Sequence, residues 1–464
     1  MSAPIAIDSS GVAREAARQS LLVPTLSVVV LTVAVLQTAV VPVLDVIARQ
    51  LHAPAASVGW AVTANLLAAA AGTPLIGRIA DLRNKKRVLL VVLALVSAGS
   101  LLAAITESFP LLLVGRVLQG LAFSLYPVAV SILRDEVPAD RLIRSMAVIS
   151  AMLGLGGGLG LVVTGLLMTD GAPYQRVFWL CTIVTSLVIV PAAIVLPDRP
   201  RRVRAEVDWL GALGLATGLS AVLLAVTQGR IWGWTSPATL GAAVVGTGAL
   251  AAWWSRSRRI ANPLVSTRML GRRPILMVNA ATLLVGMGLY FSFLGFTDFV
   301  KTPAADGYGF GASVLDASLE FLLPGALAAA ATALASGRFI ERFGARNVVI
   351  AGASAGALGF AFLIGWHSAP WEVIAAYLLT NVYISLAYGA LPVLIVQEVR
   401  EDETAVATSL NAIIRKIGAS ISSAAVGVLL VPGLDGHPSE TGFLAIFALG
   451  AATAVGTILL IRKR

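Results

Sequence analysis

Gly77-Arg78-Ile79-Ala80-Asp81-Leu82-Arg83-Asn84-Lys85-Lys86-Arg87 recurs in altered form as Gly337-Arg338-Phe339-Ile340-Glu341-Arg342-Phe343-Gly344-Ala345-Arg346. Each copy follows one long apolar run and precedes another. A charged turn repeated in this way implies two structurally related halves. In a membrane chain that symmetry points toward transport.

The rest of the sequence supplies the membrane. It is 58% hydrophobic and 12% charged, with a mean hydropathy of +0.88. A soluble domain could not hide so much apolar surface. Apolar runs of roughly 17–27 residues recur throughout, long enough to cross a bilayer as helices. They fall at about 24–48, 58–76, 88–105, 109–133, 142–168, 177–196, 209–227, 238–254, 275–300, 314–335, 348–366, 371–396, 405–431 and 442–461. In lipid these fourteen runs must be helices, because every backbone group needs a partner within its own segment.

Charge sets the expected orientation. With the N-terminus in the cytoplasm, 27 Lys and Arg fall in inner segments and only Arg49, Arg176, Arg230 and Lys301 in outer ones. Arg116, Arg415 and Lys416 lie within spans. This is a strong positive-inside pattern in short loops. It assigns the net charge of +10 to the face that meets anionic lipids, and gives no reason to expect nucleic acid as a partner. The expected location is the inner (plasma) membrane, with both termini cytoplasmic. The single cysteine, Cys181, excludes a disulfide within the chain. His52, His367 and His437 all fall in expected outer loops, so no Cys/His metal cluster and no cofactor is expected. Residues 1–20 are polar, without a cleavable apolar segment, and read as a disordered cytoplasmic lead.

The organisation reads as 6+2+6: an N-terminal six-helix bundle over 21–200, a two-helix insertion with basic loops over 201–270, and a C-terminal six-helix bundle over 271–464. The fold class expected is all-α integral membrane, with two pseudo-symmetric bundles plus two extra helices. At this point the chain resembles the major facilitator superfamily, and within it the fourteen-span drug:proton antiporter branch. The resemblance rests on the 77–87 turn and its second copy, Gly115-Arg116-Val117-Leu118-Gln119-Gly120 in span four, the glycines of span five, the extra pair of spans, and Trp232-Gly233-Trp234. It departs from the branch in three places. Leu36-Gln37-Thr38 stands where an acid is usual. Gly154-Leu155-Gly156-Gly157-Gly158-Leu159-Gly160 lacks the usual proline. Asn84 replaces a glycine and is expected to tolerate a left-handed backbone.

Gly77 allows helix ends to approach closely. Asp81 can accept hydrogen bonds from a neighbouring helix N-terminus or pair with an arginine, forming a latch that breaks when the inner face opens. Gly77, Asp81, Arg87, Gly337 and Glu341 are the expected gating residues; a solvated basic loop is the plainer alternative. Arg116 lies about seven residues into span four, roughly 10 Å deep. A buried arginine is costly, so it should face a wet cavity or a partner. Arg116, Gln119, Phe123 and Tyr126 share one face at 3, 4, 3 spacing. Thr408, Asn411, Arg415, Gly418 and Ser422 make a polar stripe on span thirteen, and Tyr377, Asn381, Ser385 and Tyr388 an aromatic-polar face on span twelve. Arg415 either binds an anionic substrate group, pairs with a carboxylate in a closed state, or sits on a solvated helix extension. The expected cavity is Gln37, Asn65, Gln119, Phe123, Tyr126, Tyr377, Asn381, Tyr388, Asn411 and Arg415. A carboxyl group in a low-dielectric site exchanges protons closer to neutral pH. With no histidine in a span, coupling should fall to Glu320, Asp45 or Asp298, with Arg116 as a basic partner.

The resemblance implies a monomeric, proton-coupled secondary transporter, not an enzyme, exporting hydrophobic or amphipathic small molecules (multidrug efflux) by alternating access. The alternative is an exporter or symporter of one native metabolite on the same fold.

Overall fold

The computed structural model describes residues 9–168, 171–199, 206–304, 308–313, 316–430 and 438–463. The first eight residues of the expected lead, the basic residues Arg201, Arg202 and Arg204, and His437 lie outside the described residues. Among those described the chain is helical, with no β-strand. Fourteen helices are long and apolar enough to cross a membrane. They are Ser20–Gln50, Trp60–Leu82, Lys85–Ile105, Phe109–Glu136, Ala139–Leu167, Gln175–Val195, Trp209–Gly229, Pro237–Ser257, Arg273–Lys301, Ala317–Phe343, Ala345–Gly365, Pro370–Glu398, Glu401–Leu429 and Glu440–Arg462, here spans one to fourteen. All fourteen expected runs are present. The helix that carries span one begins earlier than the apolar run, at Ser9.

Three spans are irregular. Span one breaks around Pro42, where a 3₁₀ turn covers Val41–Val43; proline withholds a backbone donor and disturbs the preceding turn. Span four contains a 3₁₀ segment at Leu121–Ser124. Span ten opens with a π-helical turn at Ala317–Leu322.

Packing repeats between the halves. Span one packs on five, two on four, and three on six. Span nine packs on thirteen, ten on twelve, and eleven on fourteen. Spans seven and eight pair with each other, and seven also leans on spans two and thirteen beside the seam between bundles. The glycines of span five serve the first of these pairs. A Cβ on Gly156 would meet the Leu31 carbonyl, and one on Gly160 the Val35 carbonyl at 2.9 Å. These glycines therefore fasten span five to span one within its own bundle.

The two copies of the charged turn end their helices differently. Gly344 has φ +79, a left-handed conformation that glycine adopts without cost. Asn84, its counterpart, has φ −69 and an extended backbone. Its side chain accepts the Arg87 amide at 3.1 Å and so N-caps span three. Asn84 is a cap here, and the left-handed role expected of it is absent.

Candidate functional site

The charged turns lie at one end of the molecule, and there the two bundles are fastened. Asp81 is fully buried. Its carboxylate accepts the backbone N–H of Ala405 at 3.1 Å and of Val406 at 3.0 Å, at the start of helix Thr404–Leu429, and the Ser131 hydroxyl at 3.2 Å. A helix N-terminus leaves amides without partners and carries partial positive charge, so an aspartate of the opposite bundle completes it. Gly77, one turn earlier, makes this approach possible: a Cβ there would sit 2.9 Å from the Ala405 carbonyl oxygen and against Ser409.

Glu341 holds a different partner. Arg144 of span five donates to it through Nε and Nη2, at 3.1 and 2.6 Å. Gly337, one turn earlier again, lies against Ala147 and Arg144. One copy of the turn thus grips a helix N-terminus and the other an arginine, the two options open to a carboxylate in that position. Both ties cross between bundles.

Sequence reasoning did not find the third tie. Arg134 of span four donates to the carbonyls of Val399 (2.8 Å) and Arg400 (3.2 Å) and to the Thr404 hydroxyl (2.6 Å). Arg78 donates to the Asp402 carbonyl at 3.3 Å. Asp402 clasps Arg400 through two bonds, at 3.0 and 2.6 Å, which fixes the turn that presents these carbonyls. That pairing holds the Arg400 guanidinium above its ordinary pKa, through the Asp402 hydrogen bonds and charge. Lys85 is buried rather than solvated: it donates to Asp135 at 2.6 Å and to the Ser131 carbonyl at 2.9 Å. Arg87 is exposed and faces Asp198 of its own bundle at 3.9 Å, so among the described contacts it joins no bundles.

Deeper in the molecule, the expected stripe on span four is split. Arg116 and Gln119 point into the N-terminal bundle. Arg116 is buried, donating to the Ala61 carbonyl at 2.8 Å and to Gln119 at 2.6 Å. Gln119 in turn donates to Ser100 at 2.8 Å, and Asn65 donates to the Arg116 carbonyl at 3.0 Å. The 3₁₀ segment at Leu121–Ser124 follows. At three residues per turn it advances about 20° more per residue than an α-helix, or roughly 80° over four residues. Phe123 therefore faces span thirteen, and Tyr126 reaches Ser150 of span five at 2.9 Å. Arg116, Gln119 and Asn65 form a polar knot between spans two, three and four, and do not line a cavity between bundles.

Span thirteen is split in the same sense. Asn411 donates to Asn279 (2.9 Å) and Thr282 (2.8 Å) of span nine, inside its own bundle. Arg415 lies 4.1 Å over the Tyr388 ring. Lys416, which sequence reasoning noted only as a charge within a span, faces the other bundle. It donates to Gln37 at 3.3 Å and sits 5.2 Å over Phe123. Its position in mid-span was itself the available signal, since a charge at that depth is expensive. Tyr377 is buried among Phe296 and its neighbours, and Asn381 donates back to the Tyr377 carbonyl at 2.9 Å.

The expected acids lie elsewhere. Glu320, in the first turn of span ten, is exposed, as are Asp45 and Asp298. Arg116 spends its donors inside its own bundle, so it does not partner Glu320. Within the described spans, Asp81 is the one buried acidic residue.

The Major Facilitator Superfamily model matches residues 26–423. An uncharacterized MFS-type transporter of Mycobacterium tuberculosis is 28% identical over 439 residues, 93% of this chain, and the chain spans 62% of that relative's length. The uridine/deoxyuridine transporter of Lactococcus lactis subsp. cremoris is 27% identical, covering 82% of this chain and 81% of its own. The tetracenomycin C resistance and export protein of Streptomyces glaucescens is also 27% identical, covering 88% and 76%. In fold, the chain is similar to the human organic anion transporter TETRAN, with a TM-score of 0.66 over 96% of this chain and 99% of that one at 15% identity.

Proposed function

This chain belongs to the Major Facilitator Superfamily, and from that premise we propose that it exports amphipathic small molecules by alternating access, driven by protons. The moving units are the bundles over 21–200 and 271–464, with 201–270 inserted between them. The charged end faces the cytoplasm of the cell and its plasma membrane, and the chain acts as a monomer.

One observation carries this reading. Asp81 completes the N-terminus of the opposite bundle's helix while sealed from water at the charged end. Such a tie is strong when the carboxylate is ionised and weak once it carries a proton, because a neutral acid loses the charge-assisted bonds. The proton step therefore belongs at Asp81, and opening toward the cytoplasm follows its protonation. Glu320, Asp45 and Asp298 are exposed and stand outside that seal. The tetracenomycin-exporting relative supports export, and the uridine/deoxyuridine-transporting relative supports the second reading, movement of one native metabolite on the same fold.

The test is cargo-induced proton movement in proteoliposomes carrying an internal pH dye. Addition of amphipathic dyes should shift internal pH in the wild type and fail to do so in Asp81→Asn. An equal shift in both would remove Asp81 from the proton step.

A further inference from the structure

Two cations, Arg415 and Lys416, stand side by side in the middle of span thirteen, and among the described residues neither makes an ion pair. Arg415 is only 6% exposed. Among the described residues it makes no ion pair, and its Nε has no hydrogen-bond partner. Its neighbours are rings: Tyr388 lies under the guanidinium at 4.1 Å, and Tyr126 of the opposite bundle is within range of its charge. Lys416 projects across the seam to Gln37 at 3.3 Å and over Phe123 at 5.2 Å. A single arginine or lysine at mid-span costs about 2.5–3.5 kcal/mol even on the lenient insertion scale. Two adjacent ones also repel each other. A fold retains such a pair when something supplies the missing negative charge.

The surroundings define what that something is. Lys416 lines a small apolar hollow together with Leu66, Ala69, Phe123, Leu219 and Ile413, reaching from the bundle seam to inserted span seven. Tyr388 and Phe123 offer ring faces to the two cations. An inorganic ion would leave this apolar surface unused, and a cationic drug would meet two like charges. Gln37 agrees: the group that Lys416 meets across the seam is a neutral amide oxygen, which accepts from it without cancelling its charge.

We propose that Arg415 and Lys416 hold the anionic head of the cargo, which is an amphipathic aromatic acid: one carboxylate- or sulfonate-type group on a flat apolar ring system. This deepens the export reading above and rests on it for the word cargo. Arg415 and Tyr388 belong to the C-terminal bundle while Gln37, Phe123 and Tyr126 belong to the N-terminal one. Bound anion therefore bridges the two moving units.

The experiment uses the full chain in phosphatidylcholine nanodiscs and two dyes with the same xanthene core, fluorescein as the anion and rhodamine 6G as the cation. Binding is read by fluorescence polarisation, and transport of both dyes by pH-gradient-driven flux in proteoliposomes. Wild type should bind fluorescein at least about tenfold more tightly than rhodamine 6G. Arg415→Gln and Lys416→Gln should each weaken fluorescein by about tenfold or more, the value of one charge-assisted bond, without weakening rhodamine 6G. Lys416→Arg should retain fluorescein binding. Lys416→Gln carries the test if Arg415→Gln does not fold, since Lys416 is less buried. Equal affinity for both dyes, absence of fluorescein binding, or fluorescein affinity unchanged in the variants overturns the anion site. Rhodamine 6G flux without fluorescein binding leaves export standing and removes the anion site. Arg415-dependent fluorescein binding with no flux of either dye does the reverse.

Discussion

Replacing Asp81 by asparagine removes one charge and one acceptor from the tie at the charged end while keeping size and shape. The wild-type carboxylate accepts two backbone amides of the opposite bundle, at 3.1 and 3.0 Å, and the Ser131 hydroxyl at 3.2 Å. An asparagine amide has one acceptor oxygen, and its NH2 group must face either an amide N–H or the serine hydroxyl. One charge-assisted bond is lost and another becomes neutral. At about 1.5–3 kcal/mol for a charged bond against about 1 for a neutral one, the closed state loses roughly 2–5 kcal/mol. That is a factor of roughly 30–4,000 in the ratio of closed to open forms. Spin labels at Arg141→Cys and Asn347→Cys, both exposed positions near that end of separate bundles, report the ratio by pulsed dipolar spectroscopy. A Cys181→Ala background removes the single buried native thiol. The expected result is a long-distance population that is minor in the parent and dominant or comparable in Asp81→Asn. Superimposable distance distributions would refute the reasoning that this carboxylate holds the bundles together.

Gly77→Val should prevent the closed state directly, since even a first carbon would lie 2.9 Å from the Ala405 carbonyl; dye transport should fall below about a tenth of wild type, as a clash between backbones costs more than about 1.4 kcal/mol, with membrane content unchanged on immunoblots. Arg144→Gln should have a far smaller effect on the same spin-label ratio, because its guanidinium is 63% exposed and exposed pairs contribute about 0–1 kcal/mol; the double exchange Arg144→Glu with Glu341→Arg should restore the parent ratio. Glu320→Gln should keep cargo-induced proton movement at close to the wild-type rate, measured beside Asp81→Asn, because exposed Glu320 has no part in the seal. Cysteines at Lys86 and Ala345 should be shielded from an impermeant external reagent in whole cells while one at Glu107 is labelled; labelling at Lys86 would reverse the orientation.

The membrane architecture was legible because length and hydropathy alone decide which helices can cross a bilayer, and the repeat at Gly77 and Gly337 marked the halves. The tie between the bundles was partly legible. Its acids and glycines were named from local spacing, but Arg134 looked like any basic residue at the inner face. Its partners, the carbonyls of Val399 and Arg400, lie some 265 residues away, a separation that no periodicity encodes. The cavity was least legible. A regular helix puts Arg116 and Phe123 on one face, and the 3₁₀ segment at Leu121–Ser124 has no proline or polar cluster to announce it. On span thirteen the polar stripe through Asn411 and Ser422 proved to pack within its own bundle, whereas Lys416, one position off that stripe, crosses the seam. Glu320, expected within the run over 314–335, stands in the first turn of the π-helical segment Ala317–Leu322 and is exposed.

The most direct test of the account is fluorescein flux in proteoliposomes of known orientation, with and without an imposed pH gradient. Fluorescein should accumulate against its own concentration gradient only while the proton gradient persists, collapse on addition of a proton ionophore, and fail to accumulate with Asp81→Asn. Equilibration that never exceeds the external concentration, or accumulation indifferent to the ionophore, would contradict proton-driven alternating access in this protein.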